Sequence, residues 1–551
     1  MQRRQFLKTG LAVGASALLS RNTLFGASAD SHIEVLVNEP IGTISPNIYG
    51  HFAEHLGGVV YDGIWVGEGS AVPNTNGIRT ALVEAMRRIH APVVRWPGGC
   101  FADSYDWKDG IGPRTQRPRR TNFWADAREA RQRTMGAQSF EPNTFGTADF
   151  VRFCRISGAE PYIAANLRSL PALDFDHWVE YCNSPAGSTT LADQRAKDGS
   201  RDPFNVRYWG VGNESWGCGG NFRPEDYAVE FRRFITWVPS YGVQLAFVGS
   251  GSNGDDVDWT RRFFEQLLGG RRYFPGSFWG WSIHHYAENL ARGRTNDWMA
   301  RKGDAVEFDE VDYYELLHEA DRMEGIVVDH WTAMGQYDKQ HRIKLVLDEY
   351  GPWYKPGTEV DPTHLLGQQI TMRDAIVTAL TLDTFNRHAE KVGMAACAQL
   401  INCLNSLFLA HENRFTVTPN YHVFDMYASH QSAQAVRAEF SAPMVSYQRD
   451  GKPASFWGLK GSASVNGKSL VLTVVNPHPS AARETEIVVR GATMSAATST
   501  VLTNKDIHAH NTFEQPEVVK PTTGSVPAAQ DGTVRFTFPP ASVTRLTFSL
   551  S

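Results

Sequence analysis

Read for the spacing of apolar and polar positions, the middle of the chain alternates two kinds of segment. Short apolar or β-branched runs fall at Asn47–Phe52, Val93–Pro97, Pro161–Leu167, Val206–Asn213, Gln244–Ser250, Phe278–Tyr286, Ile343–Tyr350 and Met394–Asn402. Between them lie longer segments whose apolar residues recur at helical spacing, such as Ile78–Ile89, Thr147–Ile156, Pro224–Trp237, Trp259–Leu268, Tyr313–Met334 and Thr371–Lys391. Strands that alternate with helices predict a parallel sheet. Eight such repeats predict an α/β protein with a (β/α)8 TIM barrel.

The pattern changes after about Tyr421. Helical spacing fades and β-type runs follow at Ser455–Leu459, Ser469–Val475, Glu484–Val489, Thr533–Phe538 and Val543–Phe548. Turn signals such as Asn466-Gly467, Asp531-Gly532 and Pro539-Pro540 separate them. This predicts a C-terminal antiparallel β-sandwich, jelly-roll-like in outline. An early run, Ile33–Val37, has no partner in the barrel and is expected to join that sandwich. The expected division is a leader at 1–29, the early strand at 30–45, the catalytic barrel at 46–420 and the sandwich at 421–551.

The leader reads Arg3-Arg4-Gln5-Phe6-Leu7-Lys8, then a weakly apolar run and the small residues Gly26-Ala27-Ser28-Ala29. Twin arginines before a short h-region are the pattern of a twin-arginine export signal. The run is too short for a stable membrane span. The expected location is therefore periplasmic or secreted, with no membrane partner after cleavage. A net charge of −5 gives no reason to expect a nucleic-acid partner. The six cysteines show no CxxC or finger spacing. Export in the folded state predicts mostly free, buried thiols. Aromatic residues make up 11% of the chain, with 15 Trp. Composition alone leaves open whether they fill the core or form platforms for sugar rings.

A TIM barrel carries its chemistry at the C-terminal ends of its strands. The first candidate strand ends in Gly50-His51-Phe52-Ala53-Glu54-His55, the second in Arg95-Trp96-Pro97-Gly98-Gly99-Cys100 and the third near Asn166. The fourth ends in Gly212-Asn213-Glu214, the sixth in His284-His285-Tyr286, the seventh in Asp348-Glu349-Tyr350 and the eighth in Gln399-Leu400-Ile401-Asn402. Two of these residues, Glu214 and Glu349, are carboxylates on opposite sides of the mouth. A retaining glycosidase needs such a pair, one to protonate the leaving oxygen and one to attack the anomeric carbon. Asn213 is placed to hydrogen-bond a neighbouring sugar hydroxyl. Two other motifs weigh less. His51-Phe52-Ala53-Glu54-His55 matches the inverted zincin pattern H-x-x-E-H, but Leu56-Gly57-Gly58 breaks the helix that zinc chemistry would need. Gly217-Cys218-Gly219-Gly220 lacks the lysine of a phosphate loop.

The strings at these strand ends resemble family 51 of the glycoside hydrolases, the α-L-arabinofuranosidases. The likeness runs through Asn47–His55, Tyr61–Gly67, Arg95–Gly99, Trp107–Pro113, Asn143–Thr147, Gly212–Glu214, Asp348–Tyr350 and Ala398–Asn402. It implies exo-acting, retaining release of terminal arabinofuranose from arabinoxylan, arabinan or their oligosaccharides, with no cofactor and no metal. It implies Glu214 as acid/base and Glu349 as nucleophile. Glu54, Asn213, Tyr286 and Gln399 would hold sugar hydroxyls or orient the nucleophile, His284 would sit beside it, and Trp353 would form a wall. The family also suggests a homo-oligomer, a hexamer. Three departures stand out. Cys100 occupies a position where some members carry a sugar-binding Asn, so its expected substrate contact is a thiol's. Arg114–Phe140 is long and arginine-rich, and Arg168–Phe175 departs from the usual glycine-rich stretch. Another furanoside, xylan or β-glucan therefore stays open as substrate.

Overall fold

The computed structural model describes residues 29–126, 140–270, 275–288, 302–449 and 451–551. Residues 1–28 of the expected export signal, and residues 127–139 of the arginine-rich segment, lie outside the described residues.

Eight strands form a closed barrel: Gly50–Phe52, Val93–Trp96, Glu160–Ala165, Tyr208–Val211, Ala246–Gly249, Phe278–Ala287, Lys344–Pro352 and Val392–Cys397. They are called barrel strands one to eight below. Each pairs in parallel with its neighbours in chain order, and Ala396↔Gly50 closes the ring. Most of their residues are buried on both faces, which explains the near-continuous apolar runs. Gly50 meets a close approach there, since an added Cβ would lie 2.5 Å from Ala395 O.

The barrel interior changes character along its axis. Val93, Tyr162, Tyr208, Ala246, Val248, Val346 and Met394 form an apolar cluster at its N-terminal end. Side chains of a strand alternate between faces. Two residues further on from Val93 and Val346, the same faces therefore carry Arg95 and Asp348. The fold thus places charge at the C-terminal mouth on an apolar plug.

Helices surround the barrel. The predicted Tyr313–Met334 helix is two, Glu310–Asp321 and Met323–Gly335. Met372–Arg387 is buried along nearly its whole length although it carries many polar residues, so those buried polar groups need hydrogen-bond partners. It packs between the barrel and the C-terminal sheet. Its Asp383 accepts hydrogen bonds from Ser462 Oγ at 2.7 Å and Thr473 Oγ1 at 2.6 Å. No helix among the described residues is long and apolar enough to cross a membrane.

The C-terminal domain is one continuous nine-stranded sheet around its own core, which includes Ile33, Leu472, Ile487 and Phe548. Strand Ser31–Thr43 pairs antiparallel with Gln434–Ser441 and parallel with Arg483–Arg490. Two details differ from the sequence reading. Pro419–Tyr427 is helical, with Pro at its start, so the sheet resumes only at Gln434. The run around Ser455 pairs with Val445–Arg449 in a separate hairpin outside the large sheet.

Candidate active site

Strict alternation would send Asp348 and Glu349 to opposite faces of barrel strand seven. The register shows why both face the mouth. On one side Ser282↔Val346 is followed by His284↔Glu349, and on the other Leu347↔Ala395 is followed by Tyr350↔Cys397. Strand seven therefore holds one residue more than either neighbour, a β-bulge of the kind that re-aims a side chain.

Glu349 is held from both sides. Arg95 Nη1 donates to its Oε1 at 2.7 Å and Tyr286 OH donates to its Oε2 at 2.9 Å. The same guanidinium donates through Nη2 to Asn213 Oδ1 at 2.6 Å, and its Nε lies 3.3 Å from Asp348 Oδ2. Burial on its own would lower the Arg95 pKa, but Asp348 and Glu349 outweigh it and hold the cation firmly charged. Asp348 also accepts from Tyr162 OH at 2.8 Å and from Ser282 Oγ. Burial opposes its charge, yet Arg95 and His284 hold its pKa well below the usual carboxylate range.

His284 joins the two glutamates. Its Nδ1 lies 3.0 Å from Glu214 Oε1 and 3.5 Å from Glu349 Oε2, and its Nε2 lies 3.3 Å from Asp348 Oδ1. Burial would lower its pKa, but Glu349, Asp348 and Glu214 together push it up to about 10. Around neutral pH it is an imidazolium with both nitrogens donating.

Glu214 caps barrel strand four in a left-handed conformation, φ 39°. The turn is fixed by Asp103, whose carboxylate accepts from the backbone N–H of Asn213 at 2.8 Å and of Leu167 at 2.7 Å. A disulfide, Cys100–Cys218, crosses beside it. Its sulfurs lie 3.9 and 3.6 Å from Glu214 Oε2. Loops after strands two and four thus bring together cysteines 118 residues apart. This corrects one expectation, because Cys100 has no S–H to offer a sugar. Most of the thiols are free and buried, as expected: Cys154, Cys182, Cys397 and Cys403.

Glu54 faces the same pocket. It accepts from Gln399 Nε2 at 3.0 Å, Phe101 N at 2.9 Å and Trp124 Nε1 at 3.3 Å. Burial and the charge of Glu349 push its carboxyl up to about 7. The Gly98-Gly99 pair makes room for both acids, since a Cβ on Gly99 would stand 2.8 Å from Glu349 Oε1. Tyr286 packs edge-on against Trp353 at 5.1 Å. Glu54, Asn213, His284, Tyr286 and Gln399 thus converge on the two glutamates, with Trp353 beside Tyr286. Sequence reasoning did not single out Arg95, Asp348, Asp103 or Trp124 as site residues. The first two stood in its motifs, whereas Trp124 sits in the arginine-rich segment, where no motif points to it.

The H-x-x-E-H residues diverge. His51 is buried against Phe424 at 4.9 Å. His55 Nδ1 faces Glu141 Oε2 at 3.0 Å, and its Nε2 accepts from Trp96 Nε1 at 3.0 Å. Neither shares a ligand geometry with Glu54.

Two family models match the chain, the α-L-arabinofuranosidase 1 domain over residues 85–289 and the α-L-arabinofuranosidase C-terminal domain over 348–542. A model of the twin-arginine translocation signal matches residues 1–20. The chain is 35% identical to an intracellular exo-α-L-arabinofuranosidase of Bacteroides ovatus, over 97% of this chain and 98% of that one. Among solved structures it is similar to the family 51 arabinofuranosidase of Xanthomonas axonopodis pv. citri, with TM-score 0.86 and 32% identity over 95% of this chain and 100% of that one. It is also similar to the arabinose complex of the Thermotoga maritima α-L-arabinofuranosidase, with TM-score 0.78 and 29% identity over 94% and 100%. With relatedness along almost its whole length and a shared barrel-and-sheet architecture, this chain belongs to the α-L-arabinofuranosidases of glycoside hydrolase family 51.

Proposed function

We propose that the enzyme is exo-acting and retaining, and releases terminal arabinofuranose from arabinoxylan, arabinan or their oligosaccharides. One observation carries this reading. An oxygen of Glu214 and an oxygen of Glu349 lie within 4.8 Å of each other across one pocket. Retaining glycosidases hold their carboxyl groups about 5–5.5 Å apart, whereas inverting ones leave about 6.5–9.5 Å for a water.

In the first step Glu214, as the acid, gives its proton to the glycosidic oxygen. Glu349 attacks the anomeric carbon, the C–O bond to the leaving group breaks, and a glycosyl ester forms. In the second step Glu214 takes a proton from water, the water oxygen attacks the anomeric carbon, and the Glu349 ester bond breaks. Arg95 and Tyr286, which both donate to its carboxylate, orient Glu349 for attack. Asn213, Glu54 and Gln399 are the polar groups placed to hold sugar hydroxyls, with Tyr286 and Trp353 as the aromatic wall. His284 supplies positive charge between the two glutamates, 3.0 Å from Glu214 Oε1 and 3.5 Å from Glu349 Oε2. The exo mode is supported by the Bacteroides relative, an exo-α-L-arabinofuranosidase. That relative is described as intracellular. The twin-arginine match supports export of this chain instead, to a periplasmic or secreted location.

The test is hydrolysis of 4-nitrophenyl α-L-arabinofuranoside by the mature protein, beside the galactofuranoside, β-xyloside and β-glucoside. Rapid release from the arabinofuranoside alone is expected. Faster release from another glycoside would mean that the segments at 114–140 and 168–175 have redirected the specificity.

A further inference from the structure

Asp62, His364 and His411 come from three separate loops after barrel strands one, seven and eight. They share no residue with the catalytic pocket. Asp62 Oδ2 lies 3.2 Å from His364 Nε2 and 3.0 Å from His411 Nδ1, and the three ligand atoms all fall within 4.8 Å of one another. We propose that these three side chains form a binding site for a zinc ion that clamps the loops at the barrel mouth.

The donor set and spacing suit that ion. Zinc takes nitrogen and carboxylate oxygen at about 2.0–2.2 Å in tetrahedral array, which places neighbouring ligand atoms about 3.3 Å apart. The two separations from Asp62, 3.2 and 3.0 Å, need only a small outward adjustment to admit it. The two rings stand nearly perpendicular, at 76°, so two lone pairs approach one point from different directions. His411 also has a carboxylate behind it, with Asp361 Oδ2 3.6 Å from Nε2. Metal-bound histidines commonly donate their second nitrogen to a carboxylate, which fixes the ring and raises its basicity. Asp62 is oriented for the role. Its Oδ1 accepts from Glu412 N at 2.8 Å and is 3.5 Å from Arg79 Nη2, leaving Oδ2 for the cluster.

The cradle is built rather than incidental. Asp62 holds a left-handed φ of 74°. The His364 ring fills the space beside Gly58, where a Cβ would stand 2.4 Å from Nε2. His364 is 3% exposed while Asp62 and His411 are 28% and 23% exposed. The site therefore has a buried floor and an open side through which water completes the tetrahedron. Gly58 follows Glu54 by four residues, and its carbonyl accepts from Asn402 Nδ2 at 2.8 Å. An ion here would stiffen the rim next to the substrate pocket without entering the reaction.

The mature protein, stripped with a chelator, is titrated with Co²⁺ as a coloured stand-in and then with Zn²⁺. The expected result is one Co²⁺ per chain with the intense visible absorption of a tetrahedral site, its displacement by Zn²⁺, and a higher melting temperature with Zn²⁺ than without metal. His411→Gln and His364→Gln abolish the absorption, while Glu349→Gln keeps it. Asp62 and His411 are partly exposed, so Asp62→Asn and His411→Gln carry the test if the His364 variant does not fold. An absent visible band overturns the proposal. So does a band that survives loss of His411, or one that vanishes with Glu349 and thus belongs to the catalytic carboxylates.

Discussion

Arg95 on barrel strand two and Glu349 on barrel strand seven are joined by a buried 2.7 Å charge-assisted hydrogen bond. The pair spans the mouth, and Arg95 ties it to Asp348 and Asn213 as well. Removing the cation leaves two buried carboxylates without their main counter-charge. Losing one partner of a buried ion pair costs about 3–5 kcal/mol. Arg95→Met is therefore expected to lower the unfolding free energy by about that much in urea titration, and to reduce kcat at least a hundredfold. Arg95→Lys rescues little, because an ammonium cannot serve three partners in a planar fork. A near-wild-type kcat in Arg95→Met would refute this role.

His284 makes stability depend on pH with a definite sign. Its pKa rises from 6.5 to about 10 on folding. Between these values the native state holds a proton that the unfolded chain has lost, so stability falls as pH rises. The contribution is complete below about pH 6.5 and gone above about pH 10. Melting temperatures across pH 6–10 should fall for the wild type and fall less for His284→Gln. Parallel curves for the two proteins would contradict the assignment.

The Cys100–Cys218 disulfide encloses a loop with a sequence separation of 118. In the chain-entropy picture a loop of that size stabilises by up to about 5 kcal/mol. The sulfurs also pack against Glu214. Reduction, or Cys100→Ser with Cys218→Ser, is expected to lower the melting temperature and to lower kcat by loosening the Glu214 carboxylate. Unchanged melting and turnover in strong reductant would show that the bond is idle.

The two glutamates should fail differently. In the proposed mechanism Glu349→Ala removes the group that forms the covalent ester, so turnover of every substrate should be lost. With Glu214 as the proposed acid, Glu214→Ala removes proton donation, which matters least when the leaving group is already a good one. It should spare aryl arabinofuranosides far more than arabino-oligosaccharides. Equal losses on both substrates would remove Glu214 from the role of acid.

Much of this architecture is legible in the sequence, for a physical reason. Barrel strands such as Val93–Trp96 and Ala246–Gly249 are buried on both faces, so they print as short apolar runs between helical segments. The acids at the strand ends follow once the barrel is drawn. What escapes depends on register and distance. The bulge that turns both Asp348 and Glu349 inward is a property of pairing with strands six and eight. The disulfide joins loops remote in sequence. Trp124 reaches Glu54 from a segment whose arginines dominate its pattern, and Arg114 and Arg120 prove to be paired with Asp149 and Asp109. Pro419–Tyr427 reads as the start of the β-rich region because its helix is short and almost wholly buried.

The central claim is double displacement through Glu349, and the configuration of the first-formed sugar tests it most directly. Proton NMR of the reaction with an α-L-arabinofuranoside, recorded before mutarotation, should show the α-anomer of arabinofuranose appearing first. Initial release of the β-anomer would mean single displacement by water, and Glu349 would then act as a base and not as a nucleophile.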